Sequence, residues 1–278
     1  MPKQVWADCH SHSNCSPDGN DSVIDMCKRA VDLGLTYYSI TDHCECNDFN
    51  GKSKGFSYEE SIPKAFAEVT KASQEFKGKL NVLKGVELGQ PLQNIKAAET
   101  VLKNNYDFVL GSVHNITGCE DFYFLDYNDF TKEYLDNMID SYLSEVLETA
   151  RWGKVDSLSH LTYPLRYIPK DKKKLLDFNS HPLINEIFSV VIENNIAIEV
   201  NASGVKKEMG VTLPDVSLLK KYREMGGELA TIGSDAHRTE DIGVDLDAAL
   251  GNLYKAGFRE YTVFVERKPV MIPIESVN

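Results

Sequence analysis

No apolar run in this chain of 278 residues approaches the roughly 20 that a membrane-spanning helix requires, so a membrane is not an expected partner. Positive charge is also scarce: 30 Lys and Arg stand against 42 Asp and Glu, a formal net charge of -12. That balance argues against non-specific nucleic-acid binding, which needs a basic surface, and is compatible with a cationic substrate. The cysteines (Cys9, Cys15, Cys27, Cys44, Cys46 and Cys119) lack paired CxxC spacing and all lie in the first half. They read as free thiols, with a thiolate ligand at Cys44 or Cys46, beside His43, as the alternative. Missing too are the GxGxxG and GxxxxGKS/T phosphate loops and the GxSxG elbow, which removes the usual nucleotide-loop and serine-hydrolase chemistries. Met1 to Asp8 carries no charged-then-apolar leader, so a cytoplasmic location is expected. No repeat, low-complexity stretch or linker divides residues 1–278, which are expected to form one domain.

What is there is a regular alternation of strand and helix signals. Hydrophobic residues make up 42% and charged residues 26%, ordinary proportions for a folded globular chain. Strands are expected at 4–9, 37–40, 80–86, 108–113, 155–159, 196–200 and 229–233, with a further one at 261–265. Between them, helices are expected over 22–33, 58–76, 95–103, 134–150, 183–193, 216–225 and 246–256. Asp21 or Ser22 can cap the first helix, and Gly34 ends it. The fourth helix has the clearest period: Tyr134, Leu135, Met138, Ile139, Tyr142, Leu143, Val146, Leu147 and Ala150 fall on one stripe. Two stretches read as loops, a Gly/Ser/Lys-rich one at 47–55 and an aromatic one at 115–130 with Phe122, Tyr123, Phe124 and Tyr127. Repeated βα units with polar residues after the strands predict a parallel α/β barrel whose reactive face is built from those strand ends.

The polar residues at these ends are mostly metal-ligand types. Six of the seven histidines close short apolar runs, in Asp8-Cys9-His10-Ser11-His12, Thr41-Asp42-His43, Ser112-Val113-His114, Ser159-His160 and Ser234-Asp235-Ala236-His237. Glu87 adds a carboxylate after another such run. Alternate residues on a strand share a face, so His10 converges with His12, and Asp235 with His237. Imidazoles and carboxylates gathered from several strand ends are the donor set of a polynuclear zinc, manganese or iron centre. A single such histidine would be read as a packed or surface residue; six in sequence are not. His181, which precedes Pro182 and has no partner motif, is expected to be structural. Asp8 and Asp42 sit beside ligand-type histidines and are expected to orient imidazoles, with a plain strand-end polar role the alternative for Asp8.

In their order, Asp-x-His-x-His-Ser, Thr-Asp-His, Gly-Val-Glu, Ser-Val-His, Ser-His and Gly-Ser-Asp-Ala-His resemble the PHP (polymerase and histidinol phosphatase) family of metal-dependent phosphoesterases. They span Asp8 to His237. The likeness to its histidinol-phosphate phosphatase branch extends to Ser16-Pro17-Asp18-Gly19 and to Glu199-Val200-Asn201-Ala202-Ser203-Gly204. The resemblance implies a distorted (β/α)7 barrel with a trinuclear site of divalent transition-metal ions. By matching motif, His10 and His12 would hold the first ion with Glu87 and Asp235. Glu87 would bridge to a second ion on His114 and His160, and the third would take His43, His237 and Asp18. Asp18 lies in a Ser-Pro-Asp-Gly stretch that could instead be only a turn.

Phosphoester hydrolysis also needs cations around the non-bridging oxygens. Arg166 and Lys206 follow strand ends and are the candidates, with Lys207 a rival to Lys206. The branch usually carries arginine at both positions; Lys206 departs from it, because lysine lacks the bidentate fork. The expected activity is hydrolysis of a small phosphomonoester, L-histidinol phosphate first, by a metal-bridging hydroxide attacking phosphorus. The aromatic stretch after His114 would either wall the leaving group, with Glu120, Asp121 and Asp126 beside it, or only pack the barrel rim. Alternatives are another small phosphoester or a nucleotide on the same fold, an amidohydrolase-like barrel, and a non-catalytic metal-binding module. A nucleic-acid exonuclease fits poorly with the acidic charge. The sequence carries no signal for an oligomeric state.

Overall fold

The computed structural model describes residues 6–47, 58–206 and 209–275, with the side chains of Tyr58 and Lys206 excepted. Strands β1 (Ala7–Asp8), β2 (Tyr37–Ile40), β3 (His43–Glu45), β4 (Asn81–Gly89), β5 (Phe108–Ser112), β6 (Ser157–Leu158), β7 (Ala197–Asn201) and β8 (Ala230–Gly233) form one parallel sheet. Its order is β1-β2-β4-β5-β6-β7-β8, with β3 lying beside the second half of β4. The ends meet: Cys9 N donates to Ile232 O at 3.0 Å, Asp235 N to His10 O at 2.9 Å, and His12 N to Ala236 O at 2.7 Å. The sheet is thereby a (β/α)7 barrel, as the alternating pattern predicts.

Helices α1 (Val23–Asp32), α2 (Tyr58–Glu75), α3 (Ile95–Val101), α4 (Lys132–Trp152), α5 (Pro182–Glu193) and α6 (Val216–Glu224) connect successive barrel strands, and α7 (Leu246–Lys255) follows the last of them. Local chemistry sets their limits. Ser22, rather than Asp21, caps α1 by accepting from Asp25 N, and Gly34 follows it in the left-handed region. Thr131 accepts from Tyr134 N to start α4, and Gly153 ends it at φ 69°. The α4 stripe is buried from Leu135 to Ala150, but Tyr134, at its N-terminal edge, is exposed.

Three departures from the sequence pattern have physical causes. The third predicted strand runs on through Glu87 to Gly89, because β3 supplies it with a second neighbour. A carboxylate inside a buried strand reads as an end, and here it is not one. His43, expected to close a strand, instead opens β3 in register with Glu87. Finally, β9 (Glu260–Val265) pairs with an unpredicted antiparallel β10 (Lys268–Pro273). Their turn is Glu266-Arg267, both at positive φ, without the Asn or Gly that usually marks such a hairpin. The 47–55 loop lies outside the described residues beyond Asn47.

Leu143 is fully buried on the α4 stripe, so Leu143→Ala should cost about 2–5 kcal/mol in urea unfolding. Tyr134→Ala should cost about 0.5 kcal/mol or less. Equal effects from the two would mean that α4 does not present this face to the barrel.

Candidate metal centre

At the carboxyl ends of the strands the predicted side chains converge. The register places His43 opposite Glu87, and β1 and β8 carry His10, His12, Asp235 and His237 to the same mouth. His10 Nε2 lies 3.0 Å from His12 Nε2, and each is 3.4–3.6 Å from Glu87 Oε2 and Asp235 Oδ1. On the other side of Glu87, His114 Nε2 and His160 Nε2 are each 3.1 Å from Oε1 and 3.4 Å from one another. Asp18 closes a third corner, 3.2 Å from His237 Nε2 and 3.7 Å from His43 Nε2. The other eight residues singled out as ligands thus gather around Glu87, directly or through a neighbouring imidazole. Asp235 sits there in the left-handed region at φ 58°, a conformation Asp tolerates better than most residues.

Ordinary hydrogen bonding does not account for this arrangement. Glu87 Oε2 and His43 Nδ1 are buried 2.9 Å apart, yet neither makes a hydrogen bond. Buried polar atoms are almost always satisfied, so two orphans facing one another among imidazole lone pairs mark a place for a cation. Three ligand groups overlap here: His10-His12-Glu87, His43-Glu87-His114 and His12-His43-His237. Nitrogen and carboxylate donors at these separations fit divalent transition-metal ions. None of these groups includes a cysteine; Cys44 and Cys46, with Sγ atoms 3.8 Å apart, are buried free thiols of the core.

The electrostatics agree. Burial alone would raise the Glu87 carboxyl, but His10, His114 and His43 hold it well below the usual carboxylate range. Asp235 is likewise held down against burial by His10 and Arg166. Desolvation opposes charge on His10, His43 and His114, yet Glu199, Asp18 and Glu45 respectively lead the carboxylates that draw them well above the ordinary value. His12 is pushed down to about 3 by burial, then by His43 and His237. Ionised carboxylates beside imidazoles of such contrasting basicity are poised to exchange protons for metal ions.

Asp42 does not orient an imidazole as expected, and Asp8 takes the alternative role of a strand-end polar residue. Asp8 accepts from Ser234 N, Ser234 Oγ and Gly243 N, and Asp42 from Ser13 N, Ser13 Oγ and Ser16 Oγ. Neither touches an imidazole; both organise the loops that carry the histidines. The carboxylates on imidazoles are Glu199, 2.6 Å from His10 Nδ1, and Glu45, 2.9 Å from His114 Nδ1. The sequence reading missed both roles. Glu199 was visible within the Glu-Val-Asn motif, whereas Glu45 sits on β3, which no pattern announced.

Beside the centre, Arg166 is almost wholly buried. Its Nη2 donates to Asp235 Oδ2 at 2.8 Å and Ser203 Oγ at 2.7 Å, while its Nε is buried without a partner. Lys206 ends a helical turn, Ser203–Lys206, but its side chain and all of Lys207 lie outside the described residues. The aromatic stretch divides in two. Phe122 and Tyr127 are buried and pack the rim, whereas Tyr123 and Phe124 are exposed. Tyr123 meets Tyr167, Tyr167 meets Tyr163, and Tyr163 lies against the His160 and His114 rings. Of the three nearby acids, Glu120 and Asp126 are exposed, but Asp121 is half-buried and accepts from Tyr163 Oη at 3.3 Å. Burial raises its carboxyl above the usual value. His181 stands apart as the N-cap of α5, 2.7 Å from Asp140, a structural role as expected.

Known proteins place this architecture. A probable histidinol-phosphatase of Thermotoga maritima is 28% identical over 267 residues, covering 96% of this chain and 99% of that protein. Another, from Clostridium acetobutylicum, is 30% identical over 250 residues, covering 87% and 91%. The crystal structure of histidinol phosphate phosphatase from Lactococcus lactis, complexed with zinc, L-histidinol and phosphate, has the same fold. It superposes with a TM-score of 0.79 at 24% identity, covering 96% of this chain and 100% of that one. The PHP domain matches residues 8–203, which carry the first five of the six motifs, and the chain belongs to the PHP domain family.

Proposed function

We propose that this protein is a metal-dependent phosphomonoesterase that hydrolyses L-histidinol phosphate to L-histidinol and phosphate, a cytoplasmic step of histidine biosynthesis. The observation that carries the metal-dependent part is the orphaned pair, Glu87 Oε2 and His43 Nδ1, inside a ring of imidazoles. Kinship with proteins named histidinol-phosphatase supports the substrate. About three ions of zinc, manganese or iron would occupy the overlapping ligand groups. His10, His12, Glu87 and Asp235 would hold one, Glu87, His114 and His160 another, and His43, His237 and Asp18 the third. When bound, such ions supply Lewis acidity, polarising the phosphoryl oxygens and lowering the pKa of water.

The side chains supply position and charge. Arg166 is held from behind by Asp235 and Ser203, and its unpaired Nε is a donor in reserve for a phosphoryl oxygen. Its fork gives bidentate contact that a lysine in its place could not. Lys206 is a second cation for the same group. Asp121, at the edge of the Tyr163–Tyr167–Tyr123 ladder, suits the ammonium or imidazole of histidinol better than the exposed Glu120 or Asp126. A carboxylate framed by aromatic rings recognises a flat or cationic leaving group. That chemistry favours a phosphate ester of a small amine over a nucleotide or a nucleic acid.

Elemental analysis of protein purified without chelator should find about three transition-metal ions per chain. His10→Ala and Asp235→Ala should each lose metal and activity, and His181→Ala should keep both. Glu87→Gln keeps the shape but not the charge, and activity should fall by several orders of magnitude with the fold retained. Protein that holds almost no metal, even after zinc, manganese or iron is added, would end this reading.

The substrate is tested by kinetics. Histidinol phosphate should exceed an aryl phosphate in kcat/KM by at least about tenfold, roughly 1.4 kcal/mol of differential binding. Arg166→Ala should raise KM and lower kcat together for both substrates. Asp121→Asn should raise KM for histidinol phosphate and leave aryl phosphate hydrolysis nearly unchanged. Equal use of the two substrates by the wild-type enzyme would leave a phosphatase with a different natural ester.

A further inference from the structure

Glu199 is 1% exposed, and both of its oxygens are engaged by the site rather than by the surrounding core. Oε1 lies 2.6 Å from His10 Nδ1. Oε2 accepts from the backbone N of His160 at 2.8 Å and from Asn201 Nδ2 at 3.2 Å. Asn201 in turn reaches Asp235 Oδ2 at 3.3 Å and, through Oδ1, accepts from Ser203 and Arg166. One carboxylate therefore touches residues after β1 and β6 and is a single step from the arginine. The neighbouring backbone leaves room for it. A Cβ at Gly233 would fall 2.4 Å from His10 Cβ and 2.6 Å from Glu199 Oε1, so only glycine at that position admits the pair.

We propose that Glu199 is the positioning residue of the metal centre, fixing the His10 imidazole with its proton on Nδ1 so that Nε2 faces Glu87, His12 and Asp235. A carboxylate on the remote nitrogen of a ligating imidazole fixes ring orientation and tautomer and increases ligand basicity. Both oxygens of Glu199 are acceptors facing donors, and this makes the charge irreplaceable by an amide. In Glu199→Gln the NH2 group must stand at one of the two positions. Opposite His10 it would demand an acceptor at Nδ1 and drive the proton onto Nε2, where metal must bind. Opposite His160 N–H and Asn201 Nδ2 it would set donor against donor.

The inference rests on the metal-centre reading above, and zinc is the probe that separates the two. Zinc affinity is measured by competition with a chromophoric chelator, for wild type and Glu199→Gln, with circular dichroism to check the fold. Affinity should fall about 10–100-fold in the variant. If wild type itself binds no zinc, the metal centre fails; if both bind zinc equally, only the role of Glu199 fails. Should the variant not fold, the zinc-loaded wild type still decides. Long-range proton–nitrogen spectra of the zinc-loaded wild type, labelled with nitrogen-15 histidine, should show His10 protonated at Nδ1 alone. A His10 proton on Nε2 would overturn the proposal.

Discussion

Everything at the mouth of the barrel is arranged around one carboxylate with no exposure to water, that of Glu87. A buried ionised group is tolerated only where opposite charge and hydrogen bonds compensate its lost hydration. Ser112 Oγ donates to Oε1 at 2.6 Å, and histidines from four separate chain segments surround the rest. Neutral imidazoles alone leave Oε2 uncompensated, and protonating several of them within 3–4 Å of each other sets like charges together. Divalent cations resolve both problems at once. The geometry of the strands follows from the same need: β4 must pair on both sides, with β3 and β5, to hold Glu87 at the centre.

Around that centre the acidic residues divide into two kinds of work. Asp8 and Asp42 spend their oxygens on backbone amides and serine hydroxyls, fixing the loops after β1, β2 and β8. Glu199 and Glu45 spend theirs on the far nitrogens of imidazoles. Proximity in sequence to a histidine is a poor guide to which kind a carboxylate is. Asp8 and Asp42 are one or two residues from a candidate ligand, and neither touches its ring. Glu199 and Glu45 reach across 189 and 69 residues.

That contrast explains what was legible in the chain. The barrel could be read because βα units repeat, and each leaves its polar residue at the strand end, where the period of apolar residues stops. The nine ligand candidates could be read because their chemistry is rare and their motifs local. Glu87 is among them although its strand continues beyond it. What resisted reading depends on non-local pairing. β3 has three residues and exists only because β4 lies beside it. The β9–β10 hairpin turns on Glu266 and Arg267, whose positive φ values no residue type announces. The aromatic stretch looked like one loop, yet its rings divide between rim packing and exposure according to what α4 and the Tyr163–Arg166 turn present to them.

Asp235 joins the candidate metal centre to the buried arginine. One oxygen, Oδ1, faces His10 and His12, and the other accepts from Arg166. The side chain that would help hold an ion therefore also aims the guanidinium, and neither function can shift without the other. Ser203 and Asn201 brace the same guanidinium nitrogen from β7 and the turn beyond it. Through Asn201 that brace reaches Glu199, and through Glu199 it reaches His10 and the His160 backbone. The Glu-Val-Asn-Ala-Ser stretch is thus a mechanical connection between two halves of one site. Such a connection favours side chains of fixed length over flexible ones. A centre built this way tolerates change at its exposed aromatic edge far better than on β7, where each polar atom already has an assigned partner.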